Sequence, residues 1–150
     1  MLESAIEILD AHRTMAVSTV RPDGWPQTTI VGYANSGWTV YFLIFRSSQK
    51  FANVARDNRI SIAISGDPAS LSDIKAVYAG ALASEVTDER ERALGWTLLS
   101  KRHPNLADFG LPDQTETALM RAVCKYVSVL DYSKGMGHTE ELTIGENGSA

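Results

Sequence analysis

Two kinds of hydrophobic spacing divide this chain into helices and strands. Apolar residues near the start recur at helical intervals, which predicts an amphipathic helix over residues 2–12. Runs that alternate or are rich in β-branched residues predict six strands, over residues 14–20, 27–34, 38–45, 59–65, 74–86 and 122–132. Gly80 interrupts the fifth run and predicts a bulge or bend at that point.

Turn and cap residues mark the boundaries between these elements. Arg21–Gly24 fits a type I turn, and Asn35–Gly37 suits a short hairpin loop. Further helices are predicted from Ser47 or Ser48 to about residue 58, over residues 87–103, and over residues 114–121, where Asp113 and Glu116 resemble a capping box. Residues 104–112 are predicted to be a loop. The glycine-spaced segment 133–150 is predicted to be a flexible tail, which leaves residues 1–132 as the folded domain.

Six strands joined mostly by tight turns predict a small antiparallel barrel with helices at its openings. The third strand is apolar on both faces, although a six-stranded barrel has only one interior. The side chains that point outward therefore need to be covered. They are either Trp38, Val40, Phe42 and Ile44 or Thr39, Tyr41, Leu43 and Phe45. A second copy of the chain would supply that cover, so the pattern predicts a homodimer.

Composition narrows the class of protein. A chain of 150 residues with 44% hydrophobic and 21% charged residues is typical of one globular domain. The net charge of −4 argues against a nucleic-acid partner. No apolar run reaches about 18 residues, and the N-terminus does not resemble a secretory signal, so no membrane span is expected. The single cysteine, Cys124, excludes an internal disulfide and favours a cytoplasmic location.

An unusual feature is the cation in the first turn of the helix that is predicted to follow the third strand. A capping box would place Glu or Gln near this position, whereas the chain has Lys50, with Arg46 just ahead of the cap. A cation there costs ~0.3–1 kcal/mol against the helix dipole unless an anion is bound. Free amides, hydroxyls and cations suit a terminal phosphate. The alternative is a lysine that simply extends into solvent.

Other chemistries find no support in the sequence. The histidines, His12, His103 and His138, lack metal-ligand spacing, so no metal site is predicted. No nucleophile has a base at a recognisable spacing, and neither a dinucleotide-binding fingerprint nor a phosphate-binding P-loop occurs. Any nucleotide would therefore bind by another arrangement.

The ordered segments AVSTVRPDGWPQTTIVGY, WTVYFLIF, RSSQKFANVARDNRISIAI and VYAGALASEV resemble the pyridoxamine 5′-phosphate oxidase-like, FMN-binding split-barrel family. The resemblance covers residues 1 to about 132. It implies a homodimer with FMN at the subunit interface. The implied phosphate contacts are Ser47, Ser48, Gln49 and Lys50. The implied contacts of the ring and ribityl chain are Gln27, Thr28, Thr29, Ile30 and Val31, with Leu43 and Ile44 through their backbone and with Lys75 at the start of the fifth strand.

The chain departs from the vitamin oxidases at two places. Its second strand begins with Pro26 and Gln27 instead of arginines, and the tail KGMGHTEEL has no arginine. The resemblance therefore favours a stand-alone relative, an FMN-dependent oxidoreductase acting on an unidentified small molecule. The alternatives are a flavin-binding stress or sensor module without turnover, and a relative that binds haem or a deazaflavin.

Three aromatic or titratable residues have open roles. His138 lies in a Gly-x-Gly-His segment that would act as a lid or proton donor, or else be a tail histidine without a role. Trp25 and Trp96 would wall the flavin ring or, in the case of Trp96, belong to the core.

Overall fold

The computed structural model of the protein describes residues 2–109 and 113–145. The helices are α1 (Leu2–Ala11), α2 (Gln49–Arg56) and α3 (Glu89–Arg102). The strands are β1 (Thr14–Val20), β2 (Pro26–Ser36), β3 (Thr39–Phe45), β4 (Arg59–Ser65), β5 (Lys75–Glu85), β6 (Thr117–Asp131) and β7 (Thr139–Thr143). Short 3₁₀ turns cover Leu71–Asp73, Pro104–Phe109 and Tyr132–Lys134. The predicted first and fourth strands are confirmed residue for residue.

Six of the strands close into an antiparallel barrel in the order β3-β2-β1-β4-β5-β6. The closing ladder joins β3 to β6, from Thr39 opposite Val123 to Phe45 opposite Thr117. Alternate residues point inward, as the pleat requires. Large side chains that are fully buried include those of Met15, Val17, Tyr33, Phe42, Ile64 and Met120. The predicted six-stranded antiparallel barrel with flanking helices is confirmed.

The irregularity predicted at Gly80 is present in the ladder between β5 and β6. Gly80 lies opposite Tyr126 and Ala81 lies opposite Cys124, so Lys125 is the extra residue. The ring of Tyr126 covers Gly80 so closely that a Cβ at Gly80 would lie 2.2 Å from Cε1 of the ring. Glycine is therefore required here by the approach of an aromatic side chain rather than by a turn.

Part of the outer face of β3 is covered by α3 of the same chain. Tyr41 and Leu119 pack with Leu99 of α3 in a second, smaller apolar cluster, with Leu43 at its edge. The alternate set, Trp38, Val40, Phe42 and Ile44, faces the main core. The sequence-based argument that the outward set needs a second copy for cover is wrong for Tyr41, which α3 buries, whereas Leu43 is partly buried and Phe45 is 64% exposed. The predicted homodimer stays a prediction.

The predicted helix over residues 114–121 is also wrong. Asp113 does accept hydrogen bonds, but from the amide and hydroxyl of Thr115 at 2.9 and 2.8 Å, and these close a turn instead of capping a helix. The chain then enters β6 at Thr117. The strand is thus 15 residues long and begins earlier than the predicted residue 122.

The segment after β6 is ordered where a flexible tail was predicted. Gly135 and Gly137 adopt positive φ angles of 135° and 70° and turn the chain back. Strand β7 then pairs antiparallel with β6, from Leu130 opposite Thr139 to Tyr126 opposite Thr143. Ile144, only 5% exposed, belongs to the main core. The remainder of the predicted tail, residues 146–150, lies outside the described residues.

Candidate functional site

The barrel has a split between β2 and β3. Their ladder runs only from Ser36 opposite Thr39 to Tyr33 opposite Phe42. Beyond that point β2 continues to Pro26 along β1, while β3 continues to Phe45 along β6. The two strands therefore diverge, and their facing backbone edges have no ladder with each other. Helix α2, which follows β3 directly, contacts β2 beside this opening.

Ser48 fixes the start of α2. Its hydroxyl accepts a hydrogen bond from the amide of Phe51 at 3.2 Å and donates one to the carbonyl of Phe45 at 2.7 Å. The prediction that Ser47 or Ser48 caps this helix is confirmed for Ser48. Within the part of the chain that the structure describes, the amides of Gln49 and Lys50 find no acceptor, as expected for the first turn of a helix.

Lys50 is a half-buried cation in that first turn. Its Nζ donates to Oγ1 of Thr29 on β2 at 2.9 Å. Among residues 2–109 and 113–145, no carboxylate lies within ion-pair distance of it. Burial lowers the pKa of Lys50, because the charged form loses solvation without gaining an opposite charge. A bound anion would supply the missing charge.

A buried amide behind Lys50 joins α2 to the barrel. The side chain of Asn53 is fully buried and donates to Thr19 of β1 and to Gln27 of β2, each at 3.0 Å. Its side-chain oxygen accepts from the side-chain Nε2 of Gln49 at 2.8 Å. Sequence reasoning missed Asn53. A polar residue on the inner face of a helix, next to Val54, was the signal that could have found it.

Arg46 does not share this site. Its guanidinium forms a bidentate pair with Glu85 at the end of β5, and its Nε donates to the carbonyl of Gln114 at 2.8 Å. Glu85 therefore neutralises the arginine and holds it on the side of α3. The local positive charge expected from Arg46 together with Lys50 is reduced to that of Lys50.

The residues predicted along β2 and β3 divide between two faces. Gln27 and Thr29 point towards α2, and Val31 packs on the main core. Thr28 and Ile30 point outward; Thr28 pairs with Ser18 at 2.6 Å, and Ile30 is 69% exposed. Leu43 packs towards α3 and Ile44 towards the barrel interior, which leaves their backbone groups for the split. Ser47 is exposed beside the cap.

Two predicted residues lie elsewhere in the chain. Lys75 begins β5 opposite Asp131 and lines a cavity beside α1 and His12, so the fold of the chain does not bring it to Lys50. His138 lies in the turn between β6 and β7, where its Nε2 is 3.3 Å from Glu140. Its role as a lid or proton donor stays a prediction.

Two cavities adjoin Leu43. One, of about 440 Å³, lies under α3 and is lined by Val86, Trp96 and Leu119 with the pair Arg46–Glu85 at its rim. The other, of about 330 Å³, is lined by Gly32, Leu99, His103, Leu106 and Phe109. Trp96 is partly buried in the first cavity, whereas Trp25 is 71% exposed.

His103 is placed over β2 by a hydrogen bond between its Nε2 and the carbonyl of Tyr33, at 2.9 Å. A Cβ at Gly32 would lie 3.0 Å from the imidazole, so the absence of a side chain at Gly32 lets the ring lie against the strand.

The described residues contain no group of three or more potential metal ligands close enough to hold an ion. No helix in the described ranges has the length and apolar character needed to cross a bilayer.

The family model for pyridoxamine 5′-phosphate oxidase matches residues 1–130 of the chain. The chain belongs to this family. The resemblance inferred from the sequence is thereby confirmed, and the match covers the six-stranded barrel and its helices. A search of the curated proteins found no match.

Solved structures share the fold of this family member. A haem-binding protein from Mycobacterium smegmatis matches with a TM-score of 0.80 and 19% identity, over 95% of this chain and 57% of that chain. An FAD-binding protein from Mesorhizobium loti matches with a TM-score of 0.68 and 20% identity, over 85% and 91%. A conserved hypothetical protein from Mycobacterium tuberculosis matches with a TM-score of 0.75 and 21% identity, over 97% and 92%. At these identities the likeness shows the fold alone, and the fold accommodates more than one cofactor.

Proposed function

We propose that this protein binds FMN, with the terminal phosphate at the start of α2, and acts as a flavin-dependent oxidoreductase on a small molecule. The observation that carries the proposal is the half-buried Lys50, which has no carboxylate partner in the described ranges and adjoins two unpaired helix amides. Family membership supports the same ligand class. Ser47, Ser48, Gln49 and Lys50 would hold the phosphate.

The residues along the split suit the rest of the cofactor. Gln27 and Thr29 present polar groups beside α2, and the diverging edges of β2 and β3 offer backbone donors and acceptors near Leu43 and Ile44. Bound FMN would supply the electron and hydride chemistry, and the protein would bind it, orient it and limit solvent access. The 330 Å³ cavity beside Gly32 and Leu43 has room for a small reactant.

The proposal includes a homodimer. The surface that supports it lies on other strands than β3. A groove on the outer face of β1, β4 and β5 is lined by small residues, including Ser18, Ser61 and Ala63, between the rings of Tyr78 and Tyr126. These rings are 44% and 57% exposed, and Ile30 on β2 is 69% exposed. A second copy would bury this mixed aromatic and small-residue face.

The test is a titration of the purified protein with FMN, monitored by flavin fluorescence. Analytical sedimentation of the same protein tests for the dimer. Lys50→Ala removes the charge at the start of α2, and Lys101→Ala removes an exposed charge in the last turn of α3. A charge-assisted contact to phosphate contributes ~1.5–3 kcal/mol, so Lys50→Ala should weaken binding roughly tenfold or more. Lys101→Ala should leave the affinity unchanged. Equal, small effects of both variants would contradict the phosphate site.

Turnover separates the enzyme from a sensor or stress module. Reduction of the bound flavin by NADH or NADPH, monitored as the loss of flavin absorbance, would support the oxidoreductase. A flavin that no nicotinamide reduces would favour the module.

Haem is a second candidate ligand, because a structural neighbour of high similarity is a haem-binding protein. The absorption spectrum separates the two cofactors: a flavin gives its own visible bands, whereas haem gives a Soret band. A Soret band after addition of hemin, with no response to FMN, would replace the flavin proposal.

A further inference from the structure

Helix α2 is attached to the barrel mainly by polar contacts. Of its eight residues only Asn53 and Val54 are buried, with Phe51 partly buried against the core. An eight-residue helix with so little apolar contact has few means of fixing its own position. The remaining attachments are hydrogen bonds from Lys50, Asn53 and Arg56 to β1, β2 and the turn that joins them.

Asn53 is the only one of these three donors that is fully buried, with 0% of its surface exposed. Its amide nitrogen uses both of its hydrogens, one on Thr19 and one on Gln27, and Thr19 is itself 2% exposed. Its oxygen accepts from Gln49 in the first turn of α2. A buried amide with every group paired has one orientation, because any rotation would leave buried polar atoms unpaired.

The network therefore connects both sides of the proposed site. Gln27 belongs to the diverging edge of β2, while Gln49 belongs to the helix turn that contains Lys50. Asn53 is the fully buried link between that turn and that edge, and the half-buried bond from Lys50 to Thr29 is the second link.

We propose that Asn53 is the positioning residue of the phosphate site: through Gln27, Thr19 and Gln49 it holds the first turn of α2, and with it Lys50, against the edge of β2. This inference rests on the proposed FMN site and adds a residue that would not itself touch the ligand. It assigns Asn53 mainly to the phosphate end of the site, since Gln27 is its single contact with the residues beside the ring.

The experiment compares FMN with riboflavin, which lacks the phosphate, on the full chain. Asn53→Leu keeps the branching and the number of side-chain heavy atoms and removes every hydrogen bond of the side-chain amide. The preference for FMN over riboflavin should fall about tenfold, the loss expected when a charged contact to phosphate is misplaced. Riboflavin affinity should fall by less than FMN affinity, because Gln27 is the group beside the ring that loses a hydrogen bond in this variant. An equal loss of both ligands, or no loss of either, would overturn the inference, since the first indicates general disruption and the second no positioning role.

A second measurement needs no cofactor. Lys50 can be labelled by reductive methylation with ¹³C and its titration followed by NMR. In the wild type its pKa should lie below the ordinary lysine value because the amine is half-buried against Thr29. In Asn53→Leu the pKa should rise towards that ordinary value as the amine enters solvent. An unchanged Lys50 titration in a folded variant would overturn the inference whatever the flavin data show.

Control variants separate a failure of the inference about Asn53 from a failure of the proposed FMN site. Asn58→Leu changes an exposed asparagine two residues beyond α2 and should alter neither the ligand preference nor the Lys50 titration. Thr19→Val removes one acceptor of Asn53 with little change in shape, and should produce a smaller change in the same direction; it carries the test if Asn53→Leu fails to fold. A wild type that does not bind FMN would overturn the proposed function, and the Lys50 titration would still decide the role of Asn53.

Discussion

Ser48 has two roles in the site through one hydroxyl group. It accepts from the amide of Phe51 and donates to the carbonyl of Phe45, so it starts α2 and ties that start to the end of β3. Neighbouring Ser47 is exposed. The two serines therefore contribute differently to the folded state, although both belong to the proposed phosphate site.

Ser48→Ala should lower the free energy of unfolding by about 1 kcal/mol, since an N-cap hydrogen bond is lost. Ser47→Ala should change it by less than about 0.5 kcal/mol, as expected of an exposed position away from caps and cores. Urea denaturation of the ligand-free protein measures both. Similar losses for the two serines would show that the cap does not hold the helix in solution.

Lys50 illustrates why a residue of the proposed phosphate site can weaken the ligand-free protein. Its charge is half-buried without a carboxylate partner in the described ranges, and burial lowers its pKa. Such a residue opposes folding slightly at neutral pH and is stabilised only when an anion arrives. The sequence contained this information, because a lysine in the first turn of a helix contradicts the preference of the helix dipole.

At the scale of elements, α3 is held against the barrel by a cluster of polar groups. Tyr41 of β3 donates to Glu91 at 3.1 Å, and Arg121 of β6 donates to both oxygens of the same carboxylate at 3.0 and 2.8 Å. Gly95 lets the helix approach closely, since a Cβ there would lie 3.0 Å from Leu119. The contact closes the smaller apolar cluster.

Two buried tyrosines, Tyr41 in this cluster and Tyr33 in the main core, predict that the free energy of unfolding falls at alkaline pH. Burial, and then the hydrogen bond to Glu91, raise the pKa of Tyr41 from 10.0 to about 12; burial raises that of Tyr33 to about 12 as well. The stabilisation is complete below pH 10 and should be lost as the pH rises from about 10 towards about 12, because the unfolded chain releases these protons first. Urea unfolding at increasing pH measures the loss, and Tyr41→Phe should make it less steep. An unchanged slope in that variant would contradict the assignment to Tyr41.

Elements with a buried inner face and an exposed outer face were predictable, and those covered on both faces were not. Strands β1 and β4 alternate cleanly and were predicted at their observed bounds. The start of β6 buries Ala118, Leu119 and Met120 in succession, because the core covers one face and α3 the other. Such a run lacks the strand period, so the residues around Asp113 and Glu116 were interpreted as a helix.

At the scale of the whole molecule, the C-terminal segment completes the core. Ile144 is 5% exposed, and its amide donates to the carbonyl of Lys125 at 2.9 Å. Leu142 of β7 is partly buried against the same core. The segment was predicted to be flexible because its strand, TEELT, is short and polar, and its two glycines were interpreted as mobility instead of a reversal of the chain.

Ile144→Ala should destabilise the protein by ~2–4 kcal/mol, since it removes a buried aliphatic side chain. Thr143→Ala changes an exposed neighbour and should cost much less. Thermal or urea unfolding of both variants checks the difference. A small effect at Ile144 would mean that the segment does not pack on the barrel in solution.

The candidate site was predictable in its parts and not in its arrangement. The serine cap and Lys50 follow from local chemistry along the chain, whereas the polar residues of β2 were implied by the resemblance to the family. The neutralisation of Arg46 by Glu85, and the buried amide of Asn53, depend on residues that are distant in sequence, and no local pattern fixes those contacts.

The polar attachment of α2 has a consequence for how this part of the molecule opens. A helix that leaves the barrel while uncovering little apolar area adds few new sites for urea, so denaturant would promote that opening only weakly. Amide protons of α2 would then exchange with deuterium through a local fluctuation nearly independent of urea, while those of the barrel strands would follow global unfolding. Ligand entry would use a motion that leaves the barrel intact.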